Sequence, residues 1–104
     1  MSACVVLVTA PSPEKAAELA RAVVGEKLAA CVNILPGVRS IYRWEGAVQD
    51  EAEVLMLVKT TAERFDALKA RIVALHPYQV PEVIRLDVSA GHAPYLEWLA
   101  ASTR

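Results

Sequence analysis

Nothing in this chain is both apolar enough and long enough to cross a membrane. Its apolar runs, Ala3 to Val8 and Val54 to Val58, fall far short of the ~20 residues a spanning helix needs. The first residues also lack the basic lead-in of a secretory signal, so a cytoplasmic protein is expected. Cysteine is scarce: Cys4 and Cys31 are the only two, too few for a disulfide framework without export, and both are expected as free thiols. An excess of either charge is missing as well. With a net charge of −1 and acids and bases interspersed, neither nucleic acid nor anionic lipid has an electrostatic reason to bind. Aromatic residues are few, 6% of the chain, and avoid the two most apolar strands, whereas an RNA-reading sheet places stacking rings there. The turn after the first strand, Thr9-Ala10-Pro11-Ser12-Pro13, has no glycine, which excludes a cradle of bare N–H groups around a phosphate. No serine sits in a strained elbow between glycines, and neither His76 nor His92 has an evident nucleophile beside it. No catalytic reaction and no organic cofactor are expected.

What the chain does have is apolar surface. Residues 1–104 suit one domain, and 55% of them are apolar, above the usual ~45–50%, so part of the surface is expected to close against another subunit. The most informative stretch is Val38 to Thr60, which reads as one long hairpin. Val38 to Trp44 mixes β-branched and aromatic residues, Gly46 supplies a turn, and Val48 to Lys59 returns over roughly 40 Å at ~3.3 Å per residue. A compact chain of this length is only about 35 Å across, so the arm should overhang its own sheet. Its first half, Gln49-Asp50-Glu51-Ala52-Glu53, is polar. Its second half, Val54-Leu55-Met56-Leu57-Val58, is unbroken apolar and needs cover on both faces.

Around the hairpin the order is legible. Ala3 to Thr9 forms a central strand, Ser12 and Pro13 start a helix that reaches about Lys27, and Leu28 to Leu35 forms a second strand ending at the Pro36-Gly37 bend. Thr60 and Glu63 predict a capping box at the head of a second helix, whose stripe of Phe65, Leu68, Ile72 and Leu75 ends near His76-Pro77. A proline-rich loop leads to an edge strand, Val83 to Val88, with Arg85 and Asp87 on a wet face, and Pro94 to Leu99 closes the chain as a short helix. This βαββαβ order with a terminal helix predicts an α+β, ferredoxin-like sandwich with both long helices on one face of the sheet. The other face has little cover of its own.

Several residues could carry function. Thiol and imidazole suit copper or zinc, which makes Cys31 and His76 candidate ligands, although Cys31 also reads as a small core residue and His76 as a cap on the second helix. Tyr42 and Trp44, two apart, share a face and want a partner. Lys59 and Glu82 are charges at the margins of apolar strands, read either as an ion pair or as part of a pocket between subunits. The acidic run Asp50, Glu51 and Glu53 could recruit hard cations, but reads first as a solvated face.

Taken together, Glu26-Lys27-Leu28-Ala29-Ala30-Cys31-Val32-Asn33, Ser40-Ile41-Tyr42-Arg43-Trp44-Glu45-Gly46, Lys59-Thr60, His76-Pro77-Tyr78-Gln79-Val80-Pro81-Glu82 and Tyr95-Leu96 with Trp98 resemble the CutA proteins, associated with tolerance to divalent cations. The resemblance implies a homotrimer in which strands of one subunit extend the sheet of the next, with a cleft at each interface. It also implies a link to copper and other divalent cations without an established reaction. Ligands proposed for some family members are a cysteine late in the first strand and two adjacent histidines before the Pro-Tyr pair. Here those positions hold Val8, Leu75 and His76, so only His76 matches and any copper site is expected to be weak. The fold also looks like that of the PII signalling proteins, which implies an alternative: a regulatory module with a small effector in an interface cleft lined by Tyr42, Trp44, Lys59, Tyr78 and Glu82. A scaffold for a partner protein is a third reading.

Overall fold

In the computed structural model, which describes residues 2–104, the alternation of apolar residues is converted into one four-stranded antiparallel sheet in the order β2-β3-β1-β4. The elements are β1 (Ala3–Ala10), α1 (Pro13–Gly25), β2 (Cys31–Trp44), β3 (Ala47–Thr61), α2 (Ala62–Leu75), β4 (Ile84–Asp87) and α3 (Ala93–Ser102). The two apolar strands are the central ones, as expected of a ferredoxin-like sheet. Ser12 caps α1 by accepting a hydrogen bond from the Lys15 N–H at 3.1 Å. The helix ends two residues before the expected Lys27, which turns into the left-handed region (φ 61) while the Lys27 and Leu28 N–H groups close onto the carbonyls of Val24 and Val23.

Strand parity divides the sheet. Cys4, Val6, Val8 and Ala10 of β1 lie beside Thr60, Val58, Met56 and Val54 of β3, and all are buried with Ala16, Leu19, Val23, Leu68 and Ile72 of α1 and α2. The alternate residues, Val5, Leu7, Leu55, Leu57 and Lys59, face the other way. There β4 adds Leu86 beside Val5 and Ile84 beside Leu7, each 50% exposed. Among the described helices only α3 reaches this second face, setting the Tyr95 ring 5.8 Å from the Lys59 ammonium.

The overhang is present. β3 pairs with β1 only from Val54 to Thr61, while Ala47 to Glu53 pairs with β2 alone as a two-stranded ribbon, and the molecule is 44 Å along its longest axis. At the tip Glu45 and Gly46 both take positive φ, 50 and 78, the two-residue turn whose twist suits a hairpin.

Two expectations need correction. Pro36-Gly37 does not end a strand: β2 runs through it as a bulge, advancing from Leu35 to Val38 while β3 moves from Leu55 to Glu53, with Gly37 at φ 77. The single extra residue absorbs the missing proline N–H without breaking the ladder. The capping box is absent, because β3 continues to Thr61, which becomes the N-cap of α2 without a side-chain cap bond, while the Thr60 hydroxyl donates to the Leu28 carbonyl at 2.7 Å. In β4 the expected wet charges are present: Arg85 and Asp87 stand on the helix side of the sheet, with the guanidinium 5.3 Å from the Phe65 ring, Ile84 and Leu86 stand on the other, and all four residues are exposed. The edge strand lies beyond the helices' cover, so its charged side can stay hydrated there.

Candidate functional site

The polar half of β3 and the loop after α2 meet at the base of the ribbon. Side-chain alternation along β3 puts Gln49, Glu51 and Glu53 on the same face as Leu55, Leu57 and Lys59, so the acidic run continues the open apolar face. Tyr42, opposite Gln49, reaches diagonally and donates its hydroxyl to Glu51 at 2.8 Å. From the loop, Tyr78 donates to Glu53 at 2.7 Å. Burial, followed by the bond to Glu53, drives the Tyr78 hydroxyl far above the ordinary phenol range. The bond to Glu51 raises Tyr42. Glu82, on the same loop, is raised by burial first and by the nearby Glu53 carboxylate second. On the ribbon's other face Asp50 is lowered by its paired hydrogen bonds, 2.8 and 2.6 Å, from Arg39.

Of the residues picked from the sequence, the fold gathers Tyr42, Tyr78 and Glu82 around Glu51 and Glu53. The two glutamates stand out in the sequence only as possible partners of hard cations and not as partners of the tyrosines, because an acidic run on a strand reads first as a solvated face. The usable signal was their spacing of two on a strand paired with one carrying Tyr42. Trp44 stands further out towards the tip, 39% exposed. Lys59 lies six residues from Glu53 along β3, roughly 20 Å at ~3.3 Å per residue, and among the described residues it makes no ion pair with Glu82. One chain does not assemble the expected cleft.

The two metal candidates are also kept apart. Cys31 is opposite Lys59 in the ladder, near the start of β1, and is half-buried. His76 lies beyond the other end of β1 and is buried, 7% exposed. Its ring does not return to the last carbonyls of α2 as a cap would; the backbone N–H closes that turn onto Ile72. Instead Nε2 is 2.7 Å from the Thr9 carbonyl, and Nδ1 accepts the Tyr78 N–H at 3.1 Å. Among the described residues no three His, Cys, Asp or Glu side chains come close enough to hold a metal ion. The donors within one chain therefore do not fit a tight copper site. Nor is any described helix long and apolar enough to span a membrane.

Residues 4–102 match the family model of the CutA1 divalent ion tolerance protein. The divalent-cation tolerance protein CutA of Thermus thermophilus is 54% identical over 99 residues, covering 95% of this chain and 96% of that protein. The chloroplastic protein CutA 1 of rice is 52% identical over 96% of this chain, but only 56% of that protein is covered, so the chain spans about half its length. The crystal structure of CutA1 from rice superposes with a TM-score of 0.97 at 50% identity, over 100% of this chain and 95% of that one. The structure described as the periplasmic divalent cation tolerance protein CutA from Archaeoglobus fulgidus gives 0.95 at 33% identity, over 98% and 99%.

Proposed function

The chain belongs to the CutA1 divalent ion tolerance family, and from that premise we propose that it serves cation tolerance as an assembly of three copies, binding divalent cations such as copper only weakly and catalysing no reaction. The observation that carries this reading is the second face of the sheet. Val5, Leu7, Leu55, Leu57, Ile84 and Leu86 form an apolar surface that α3 covers only in part, and the ribbon projects beyond it. Exposed apolar surface of this continuity marks an interaction site. Neighbouring copies, each bringing a ribbon, complete it. The working surface is then the cleft between them, bordered by Tyr42, Tyr78 and Glu82 from one copy and Lys59 and Trp44 from another.

Weak binding follows from the donor set, since the matching imidazole is already hydrogen-bonded and no trio of donors stands ready in one chain. The relatives are described by tolerance and not by a reaction, which supports a non-catalytic role. The free thiols Cys4 and Cys31 favour the reducing cytoplasm as its compartment. The family match favours this reading over the effector-binding module of the PII kind.

Light scattering at micromolar concentration tests the assembly: a mass three times the 11.3 kDa of one chain is expected, and a stable monomer would refute it. Calorimetric titration of copper and zinc into the assembled protein tests the second half. Dissociation constants in the micromolar range or weaker are expected, and nanomolar binding would contradict the donor inventory.

A further inference from the structure

His76 is the better of the two metal candidates, and the hydrogen bonds around it argue for a different task. A backbone N–H is always a donor, so the 3.1 Å contact from Tyr78 requires a lone pair on Nδ1. The proton of the neutral ring is then on Nε2, where it is donated to the Thr9 carbonyl at 2.7 Å. Both nitrogens are used, and the ring is packed against Tyr78 with centroids 4.6 Å apart. A cation could take either nitrogen only by displacing one of these bonds from a side chain that is 7% exposed.

We propose that His76 is the positioning residue of the cleft: an uncharged imidazole, protonated on Nε2, that bridges the end of β1 to the loop after α2 and so delivers the Tyr78 hydroxyl to Glu53. The bridge has three links in series. Thr9 fixes the ring, the ring fixes the Tyr78 backbone, and the Tyr78 hydroxyl fixes the Glu53 carboxylate at 2.7 Å. Glu82 lies on the same loop, so its placement beside Glu53 depends on the same support. The proposal rests on the reading above only in taking this surface as the working one.

The test separates a strut from a ligand. Long-range proton–nitrogen spectra of the folded wild type report the tautomer directly, and the spectrum is simple because the chain has 2 histidines. A protonated Nε2 and a bare Nδ1 are expected for His76; the opposite tautomer would overturn the proposal. His76→Gln can still donate towards Thr9, His76→Asn can still accept from Tyr78, and His76→Leu can do neither. In the Leu variant, exchange of the Tyr78 amide should quicken roughly tenfold or more, and the Glu53 carboxyl carbon should shift as its phenol partner leaves. Each amide variant should recover part of both effects. If the Leu variant does not fold, the two amide variants and the wild-type tautomer still decide the matter.

Copper(II) titration supplies the remaining arm. Wild type and His76→Gln should give the same isotherm, whereas a tenfold loss in Gln with the loop amides still protected would make His76 a ligand and end the proposal. Absence of any copper binding by wild type would refute the cation reading while leaving the strut to be judged by tautomer and rescue.

Discussion

The two faces of the sheet are built from the same residue types and have opposite fates. Val6, Val8, Met56 and Val58 on one face are wholly buried, while Ile84 and Leu86 on the other are half exposed and share it with Val5, Leu7, Leu55 and Leu57. The difference arises from the crossovers and not from the strands. Both long helices return on one side, and α3 is too short to cover the other. One face is thus a core that a single chain completes, and the second is apolar surface that the same chain leaves partly open.

The largest effect that would probe this difference is a charge placed in the completed face. Val6→Asp buries a carboxylate between Val58 and Arg85 at a wholly buried position, and because that guanidinium is already paired with Asp87 the desolvation should still cost about 4 kcal/mol or more, a large part of the ~5–15 kcal/mol that stabilises a small domain. Loss of a cooperative urea transition is the expected result. Met56→Ala, on the same face, should cost ~2–5 kcal/mol by transfer and cavity terms, read from the urea midpoint. Leu86→Asp makes the contrasting case. Half exposed in one chain, it should leave far-ultraviolet dichroism and monomer folding nearly intact while abolishing the larger species in light scattering. Equal loss of folding from Leu86→Asp and Val6→Asp would break the distinction between the faces.

The two cysteines sharpen the same contrast without a charge. Cys4 lies wholly within the completed face, and its thiol is raised, chiefly by burial, so an exposed-thiol reagent should reach it only on unfolding. Cys31, on the open face, is half-buried. In the Leu86→Asp monomer Cys31 should label at least roughly tenfold faster than Cys4, and in the wild type, if the proposed trimer forms, it should slow towards the Cys4 rate.

Much of this arrangement was legible in the residues. The unbroken apolar runs of Ala3–Val8 and Val54–Val58 marked the central strands, Ser12-Pro13 marked the head of α1, and the length of Val48–Lys59 announced the ribbon. What misled were local signals outvoted by the ladder. Pro36-Gly37 reads as a stop, yet one extra residue on β2 accommodates it as a bulge. Thr60 with Glu63 reads as a capping box, but the extra rung between Thr61 and Ala3 moves the helix start and frees Thr60 for the Leu28 carbonyl. The site was harder, because Glu51, Glu53 and the Thr9 carbonyl become its members only once the loop after α2 crosses the end of β1. Hydrogen bonds between residues as distant as His76 and Thr9 leave no local pattern.

The smallest effect concerns Glu82 and asks whether the open face is finished by another copy. Burial and Glu53 raise this carboxyl above its ordinary 4.5, so the folded chain holds the proton more tightly than the unfolded one. The ionised group therefore opposes folding. That opposition is absent below the ordinary carboxylate value and fully present once pH passes the raised one. In a monomer, Glu82→Gln should be more stable than its parent at pH 7, by well under ~1 kcal/mol after solvent screening, and indistinguishable from it below the ordinary value. In the proposed trimer, Lys59 of a neighbouring copy would hold the carboxylate in its charged form and reverse the sign, so that Glu82→Gln becomes the less stable protein at pH 7. Melting curves of Glu82→Gln in the wild-type and Leu86→Asp backgrounds, each compared with its parent at both pH values, read the two signs side by side. Agreement in sign between the backgrounds would mean that no cation reaches Glu82 from another subunit, and the proposed cleft would lose its charged pair.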